Sequence, residues 1–251
     1  MTEVVASARE ATADIPSGST IAVGGFGVCG VPMALIRGLL ATGAEDLRVV
    51  SNNCGVDGWG LGVLLDVGRI SRLTCSYMGE HKELARRFLS GELEVELTPQ
   101  GSLAERLRAG GSGIPAFYTP AGLGTLVSEG GLPRRYRADG SVAVASSPKE
   151  VREFGGRSYV LEEAITTDFA LVRAAVGDDA GNLVFHSSSR NFAPLCAMAG
   201  RTTIAEVELL VPAGTLDPDQ VHLPGVFVQR IVRADAEKPI ERRTVLPRVP
   251  A

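Results

Sequence analysis

The sequence predicts an α/β protein built on a mainly parallel sheet flanked by helices, with a small β-hairpin region. Three observations point to it. Ile21 to Val23 is a short apolar run that enters the glycine-rich segment Gly24 to Gly30, and Pro32 then opens a stretch with Met33, Leu35, Ile36, Leu39 and Leu40 at helical spacing. Three strand-like runs in the first 100 residues each end in a polar or glycine-rich turn and are followed by helical periodicity, as in a parallel sheet with its turns gathered at one edge. Asp139-Gly140 and Gly155-Gly156 mark two tight hairpins in the middle of the chain. At 251 residues the chain is long enough for a sizeable core and is expected to form one domain over residues 1–251.

Taken in order, residues 3 to 15 read as an amphipathic helix with Val4, Val5, Ala8 and Ile15 on one side, broken by Pro16-Ser17-Gly18. The strand and glycine loop come next. The helix after Pro32 is expected to stop near Gly43, and its first N–H groups to point back at the loop, where anions are favoured. Leu47 to Val50 is a strand that runs into the polar segment Ser51 to Gly58. Trp59 to Val67 is a short helix, Ile70 to Tyr77 a strand, and Glu80 to Leu89 a helix. Leu93, Val95 and Leu97 alternate with Glu94 and Glu96, which marks a strand with one wetter face. That strand ends at Thr98-Pro99-Gln100-Gly101, and Leu103 to Ala109 is helical with Ser102 as its expected cap. Gly110 to Gly131 is rich in Gly and Pro and holds aromatics, so it reads as a long ordered loop or lid. Phe169 to Val176, Leu183 to Phe185 and Thr202 to Val211 are strands, and Asn191 to Ala199 is a helix interrupted early by Pro194. The tail from Glu237 is charged, contains proline, and is expected to be exposed or packed on a partner.

The formal charge of −4 and pI near 5.5 favour neither nucleic acid nor an anionic membrane surface. No apolar run approaches the roughly 20 residues of a membrane span, and the N-terminus has neither a secretory core nor transit-peptide character. Cys29, Cys54, Cys75 and Cys196 are far apart, and with His81, His186 and His222 they form no zinc spacing. The expectation is a reduced, intracellular protein without a structural metal, most of its cysteines being small core residues.

Gly25 to Gly30 matches the glycine pattern of dinucleotide-binding loops, between a strand and a helix. That reading also wants an acidic residue at the end of the next strand, where Ser51-Asn52-Asn53 stand instead. Three polar turns are more informative together. Gln100 is an amide at a strand end that can donate to a developing oxyanion, Asn52 and Asn53 can bond carbonyl or amide groups, and the loop Gly24-Gly25-Phe26-Gly27 offers backbone N–H groups. This is a wall suited to acyl transfer; the other account of Asn52, Asn53 and Gln100 is that they close turns. No nucleophile stands beside them. There is no GxSxG elbow, Cys29 and Cys54 have no histidine nearby in sequence, and Glu129, Glu162 and Glu163 read as solvated or paired. His186 to Asn191 is a polar turn whose serines capping explains.

Gly24 to Pro32 (GGFGVCGVP) resembles the signature of family I coenzyme A transferases, in their A (alpha) subunit; Ser17-Gly18 stands where that signature has Asp/Asn-Gly. Ser51 to Asp57, Ser90 to Gly101, Gly113 to Pro120, Glu150 to Phe154, Leu161 to Thr166 and Arg190-Asn191-Phe192 resemble its succinyl-CoA:3-oxoacid branch, in one order over roughly residues 3 to 235. The resemblance implies the family's fold and a two-step acyl exchange through a glutamyl-CoA intermediate. It implies that the glutamate belongs to a B (beta) subunit, in a Glu-Asn-Gly sequence that this chain lacks. Gln100 is then the oxyanion donor, with Asn52, Asn53 and Gly24, Gly25, Phe26 and Gly27 facing the acyl-CoA and carboxylate substrates. CoA enters as a substrate, with no cofactor or metal besides, and the setting is bacterial cytoplasm. Transfer to another acid (acetate, 3-oxoadipate) and a non-catalytic CoA- or nucleotide-binding protein are the alternatives.

Overall fold

The computed structural model describes residues 2–79, 81–235 and 238. Glu80, expected to open a helix, and the tail from Glu237, Lys238 excepted, lie outside the described residues. The chain begins with β1 (Glu3–Val4) and α1 (Ala8–Ala11), followed by β2 (Thr20–Val23), α2 (Met33–Thr42), β3 (Leu47–Val50), α3 (Gly62–Asp66), β4 (Ile70–Cys75), α4 (Lys82–Leu89), β5 (Glu94–Leu97) and α5 (Gln100–Gly111). A lobe of β6 (Ala116–Thr119), α6 (Leu126–Glu129), β7 (Pro133–Tyr136), β8 (Val142–Ala145), β9 (Val151–Phe154) and β10 (Arg157–Glu163) comes next. The chain then returns through β11 (Thr167–Asp178), β12 (Leu183–Val184), α7 (Ala193–Ala199), β13 (Gly200–Val211) and β14 (Arg230–Arg233).

The main sheet has the order β1-β14-β13-β11-β2-β3-β4-β5. Every neighbouring pair along it is parallel, and β12 adds to β11 antiparallel. From β2 the chain runs outward to β5; after the lobe it re-enters at β11 and runs outward the other way. The order therefore reverses between β2 and β11, the place where open α/β sheets form a crevice at the strands' C-terminal ends. One core gathers Leu35, Ile36 and Leu39 of α2 with Leu64 and Leu84 of α3 and α4 on one face of the sheet. The other gathers Leu103 and Leu107 of α5 with Ala193, Cys196 and Ala197 of α7 on the opposite face. Burial of each large apolar side chain stabilises by about 1.5–3 kcal/mol.

Three expectations are corrected. The N-terminal helix is a single turn capped by Ser7, and Glu3–Val4 is instead a strand paired with Arg230–Ile231, at the far end of the chain. The expected loop from Gly110 to Gly131 contains β6, which pairs antiparallel with β10, and the one-turn helix α6. α5 starts at Gln100 behind Pro99, not at Leu103 behind Ser102, whose hydroxyl is buried in the helix without a hydrogen-bond partner among the described residues. Pro99 stands at the N-cap with its φ held by the ring, and no side chain caps the helix there. The expected hairpins form, at β7–β8 and β9–β10.

Ion pairs join the lobe to the sheet. Glu96 of β5 meets Arg72 of β4 at 2.6 Å, Arg106 of α5 at 2.9 Å and Arg134 of β7. Glu162 of β10 is buried and meets Lys149 at 2.5 Å. Burial pushes the Glu96 carboxyl upward, but Arg106, Arg134 and Arg72 together hold it at about 2. This contribution is present above the ordinary value of 4.5 and is lost as pH falls through about 2. Glu96→Gln leaves three guanidinium groups without their shared carboxylate, and is expected to cost about 3 kcal/mol in urea unfolding at neutral pH.

Candidate functional site

The crevice between β2 and β11 is built by the glycine loop, and its sequence dictates its shape. Phe26 and Cys29 exchange backbone hydrogen bonds of 3.0 and 2.9 Å around Gly27-Val28, so the loop is a small hairpin, and Phe26 of its closing pair is 48% exposed. Gly25 has φ +132°, and a Cβ there would lie 2.8 Å from Val31 Cγ2. Gly30 has φ +74° and lies against the Ser189 carbonyl, 2.7 Å from where a Cβ would be. Only glycine combines such dihedrals with such close approach. Gly24 donates its N–H to Leu171 O of β11 and packs on Ala193 of α7.

The polar turns after β3 and β5 close on this loop through a chain of side-chain hydrogen bonds. Gln100 Nε2 donates to Asn52 Oδ1 at 2.9 Å. Ser76 Oγ donates to the same oxygen at 2.8 Å, and Asn52 Nδ2 donates to Asn53 Oδ1 at 3.3 Å. Asn53 Oδ1 accepts the Gly27 N–H at 2.9 Å, and its Nδ2 donates to Gly27 O at 3.3 Å. Asn52 is 2% exposed and Asn53 9%, whereas Gln100 is exposed. The two asparagines are thus buried struts, and Gln100 stands at the solvent edge with its second amide N–H free of this chain of bonds.

Gln100, Asn52, Asn53 and Gly27 are therefore brought together, with Gly24, Gly25 and Phe26 in the adjoining hairpin. Two parts of the sequence reading change. The Gly27 N–H is taken by Asn53, so it belongs to the loop's own bracing. The N-terminus of α2 does not face the crevice as an anion site: the Leu35 N–H goes to Glu206 Oε2 of β13 at 2.9 Å. The Gly27 and Leu35 N–H groups, which a dinucleotide pyrophosphate would look for at such a loop and helix start, are thus already occupied.

Two contributors escaped the sequence reading. The turn from Ser187 to Asn191 forms the loop's back wall: Asn191 Nδ2 donates to Cys29 O at 3.1 Å and Ser188 O at 2.8 Å, and Ser188 Oγ lies 3.4 Å from Cys29 Sγ. Glu206 is the other; its signal was a carboxylate at an inward register position of a strand, between buried Ala205 and Val207.

No carboxylate of this chain is positioned beside Gln100 in the described hydrogen-bond chain. Glu129 and Glu163 are exposed on the lobe, and Glu162 is locked to Lys149. Burial pushes the Cys75 and Cys196 thiols up to about 12 and Cys54 higher still, with nearby Cys75 and Asp66 adding to it, so none of the three is a ready nucleophile. Among the described residues no group of His, Cys, Asp and Glu could hold a metal, and no helix is long and apolar enough to cross a membrane. The void between the glycine loop and Asn53 is about 10 Å³, room for one water. A larger cleft of about 440 Å³ lies under the lobe, but its cations Arg72, Arg106, Arg134 and Lys149 already face Glu96 and Glu162. Chemistry outweighs volume here: the convergent polar groups are at the crevice.

The coenzyme A transferase family model matches residues 5–234. The chain belongs to the coenzyme A transferase family. It is 63% identical over 246 residues to the A subunit of a probable succinyl-CoA:3-ketoacid coenzyme A transferase from Mycobacterium tuberculosis, covering 98% of this chain and 99% of the relative. It is 52% identical to the mitochondrial succinyl-CoA:3-ketoacid coenzyme A transferase 2 of Homo sapiens, over 94% of this chain but only 46% of the human one. Among solved structures, the acyl-CoA transferase apoenzyme of Escherichia coli O157:H7 superposes with a TM-score of 0.77 at 25% identity, over 93% of this chain and 47% of that one. In this member of the family, Gln100, Asn52, Asn53 and Gly27 form one chain of hydrogen bonds at the crevice.

Proposed function

We propose that the chain is the A (alpha) subunit of a succinyl-CoA:3-oxoacid CoA transferase, which moves CoA from succinyl-CoA to acetoacetate or a related 3-oxoacid. The observation that carries this reading is the end-to-end likeness to proteins that bear the name of that enzyme's A subunit. Two facts support a B (beta) subunit that supplies the catalytic glutamate. The human relative holds in one chain about twice the length of this one. Among the described residues, the crevice of this chain places no carboxylate beside Gln100. Bacterial relatives named as separate A subunits support a cytoplasmic setting.

The chemistry follows from a carboxylate nucleophile. The partner's glutamate attacks the succinyl-CoA carbonyl, forming an acyl–glutamyl anhydride and releasing the CoA thiolate. The thiolate attacks the glutamyl carbonyl, which frees succinate and leaves a glutamyl-CoA thioester. Acetoacetate then enters as a carboxylate, and the same two steps in reverse release acetoacetyl-CoA. Each step passes through a tetrahedral oxyanion. Gln100 Nε2, already oriented by Asn52, presents its remaining N–H to that oxygen; a donor fixed before the reaction need not reorganise during it. Closing the wall against a second subunit keeps water from the anhydride and thioester. CoA arrives on the succinyl donor and leaves on the acetoacetyl product, so the scheme calls on no resident cofactor.

The acid pair is tested by comparing kcat/KM for acetoacetate, acetate and 3-oxoadipate as acceptors, with succinyl-CoA as donor. A preference for acetoacetate of at least about tenfold supports the reading. A preference for either other acid moves the enzyme to that branch.

A further inference from the structure

We propose that Glu206 is a positioning residue for the transfer reaction: its buried carboxylate, reaching from β13 to the first turn of α2, holds in place the glycine loop that this helix carries. The proposal rests on the reading of Gly24–Gly27 as the ligand-facing loop.

The first turn of a helix leaves N–H groups without partners inside the helix. α2 starts behind Pro32, with no side-chain cap from its own N-terminal residues. The acceptor comes instead from 171 residues away: Leu35 N donates to Glu206 Oε2 at 2.9 Å, and the Ala34 N–H acts on the same carboxylate. An anion at this end also complements the helix dipole. The hold reaches the loop directly. Val31 and Pro32, buried, join the loop to the helix, and Val31 lies so close to Gly25 that a Cβ on Gly25 would be 2.8 Å from it.

An ordinary core would put an aliphatic side chain at this position. Glu206 is 1% exposed, on the face of β13 that also buries Ile204, and its Oε1 has no hydrogen-bond partner among the described residues. The charged groups around it leave it without an ion pair there. Arg173 of β11 turns to Glu208 at 2.6 Å, and Glu208 also holds Lys238 at 2.6 Å. β14 offers Val232 at the paired position, and Arg37 of α2 is exposed. Burial pushes the Glu206 carboxyl up to about 7, against the pull of the Leu35 and Ala34 N–H groups and Arg173. A folded-state value above the unfolded one means that the ionised form is held at a cost that grows as pH rises through that range. A buried carboxylate kept at a cost to the fold, one turn behind the ligand loop, fits a functional role better than a packing one.

Glu206→Gln keeps the volume and one acceptor and removes the charge. In the two-subunit complex at pH 8, the variant is expected to melt at or above the wild-type Tm, because the ionisation cost is gone. It is expected to lose about tenfold in kcat with KM little changed, and to exchange its amides faster over residues 24–35. Wild-type kcat should fall on the acid side with an apparent pKa near 7, a limb absent from the variant, and Glu206→Asp should restore part of the loss. Wild-type kcat together with unchanged exchange over residues 24–35 would overturn the proposal. A parallel fall of Tm and kcat would overturn it too, by making Glu206 a residue of the fold alone. If the wild-type complex transfers no CoA between the acids tried, the functional reading fails by itself, and the exchange comparison still decides whether Glu206 holds the loop.

Discussion

Gln100→Ala in the assembled two-subunit enzyme is expected to lower kcat by about 10²–10³-fold, the usual effect of removing one oxyanion donor. KM for succinyl-CoA should stay within a few-fold, because the donor acts on charge that develops only in the transition state. Assembly should be intact by size-exclusion chromatography, since Gln100 is exposed and, among the described residues, its side chain bonds to Asn52 alone. The split between kcat and KM is the diagnostic result. A variant with kcat within a few-fold of wild type would remove Gln100 from the oxyanion role and leave it closing a turn.

Asn52→Ala is expected to have the second largest effect, by a different route. Asn52 Oδ1 accepts from both Gln100 and Ser76, and its amide supports Asn53, which in turn pins Gly27. Alanine leaves these groups without their shared partner inside the protein, at a stability cost of about 1–3 kcal/mol. It also frees Gln100 to swing, and displacement of a catalytic group by about 1 Å is worth about 10²-fold in rate. If Asn52 acts through Gln100, the double variant should lose hardly more kcat than Gln100→Ala alone, whereas independent roles would multiply. Urea unfolding and steady-state kinetics on the two single variants and the double variant separate these outcomes.

How much of this was legible in the sequence depended on whether its cause was local. β2, the glycine loop and α2 were read well because apolar spacing, glycines and Pro32 all act within a few residues. Gln100, Asn52 and Asn53 could be placed at one sheet edge because parallel strands put their following turns on the same side. β1 and β14 were missed because they exist as a pair joined across the whole chain, and Val4, Val5 and Ala8 fit a helical spacing equally well. The Ser187–Asn191 wall looked like a capped turn because its task, holding Cys29 and Gly30, is set by contacts some 160 residues away. The helix N-terminus misled in an instructive way: loop and helix sequence promise an anion site, and a carboxylate from a distant strand takes those donors first.

The most direct test of the central claim is CoA transfer from succinyl-CoA to acetoacetate, measured with this chain alone and then with a co-expressed B subunit carrying the Glu-Asn-Gly sequence. Turnover is expected only in the pair, with the B-subunit glutamate trapped as a CoA thioester when succinyl-CoA is supplied without acceptor. Turnover by this chain alone would contradict it, and would mean that a carboxylate here, Glu129 or Glu163, is the nucleophile.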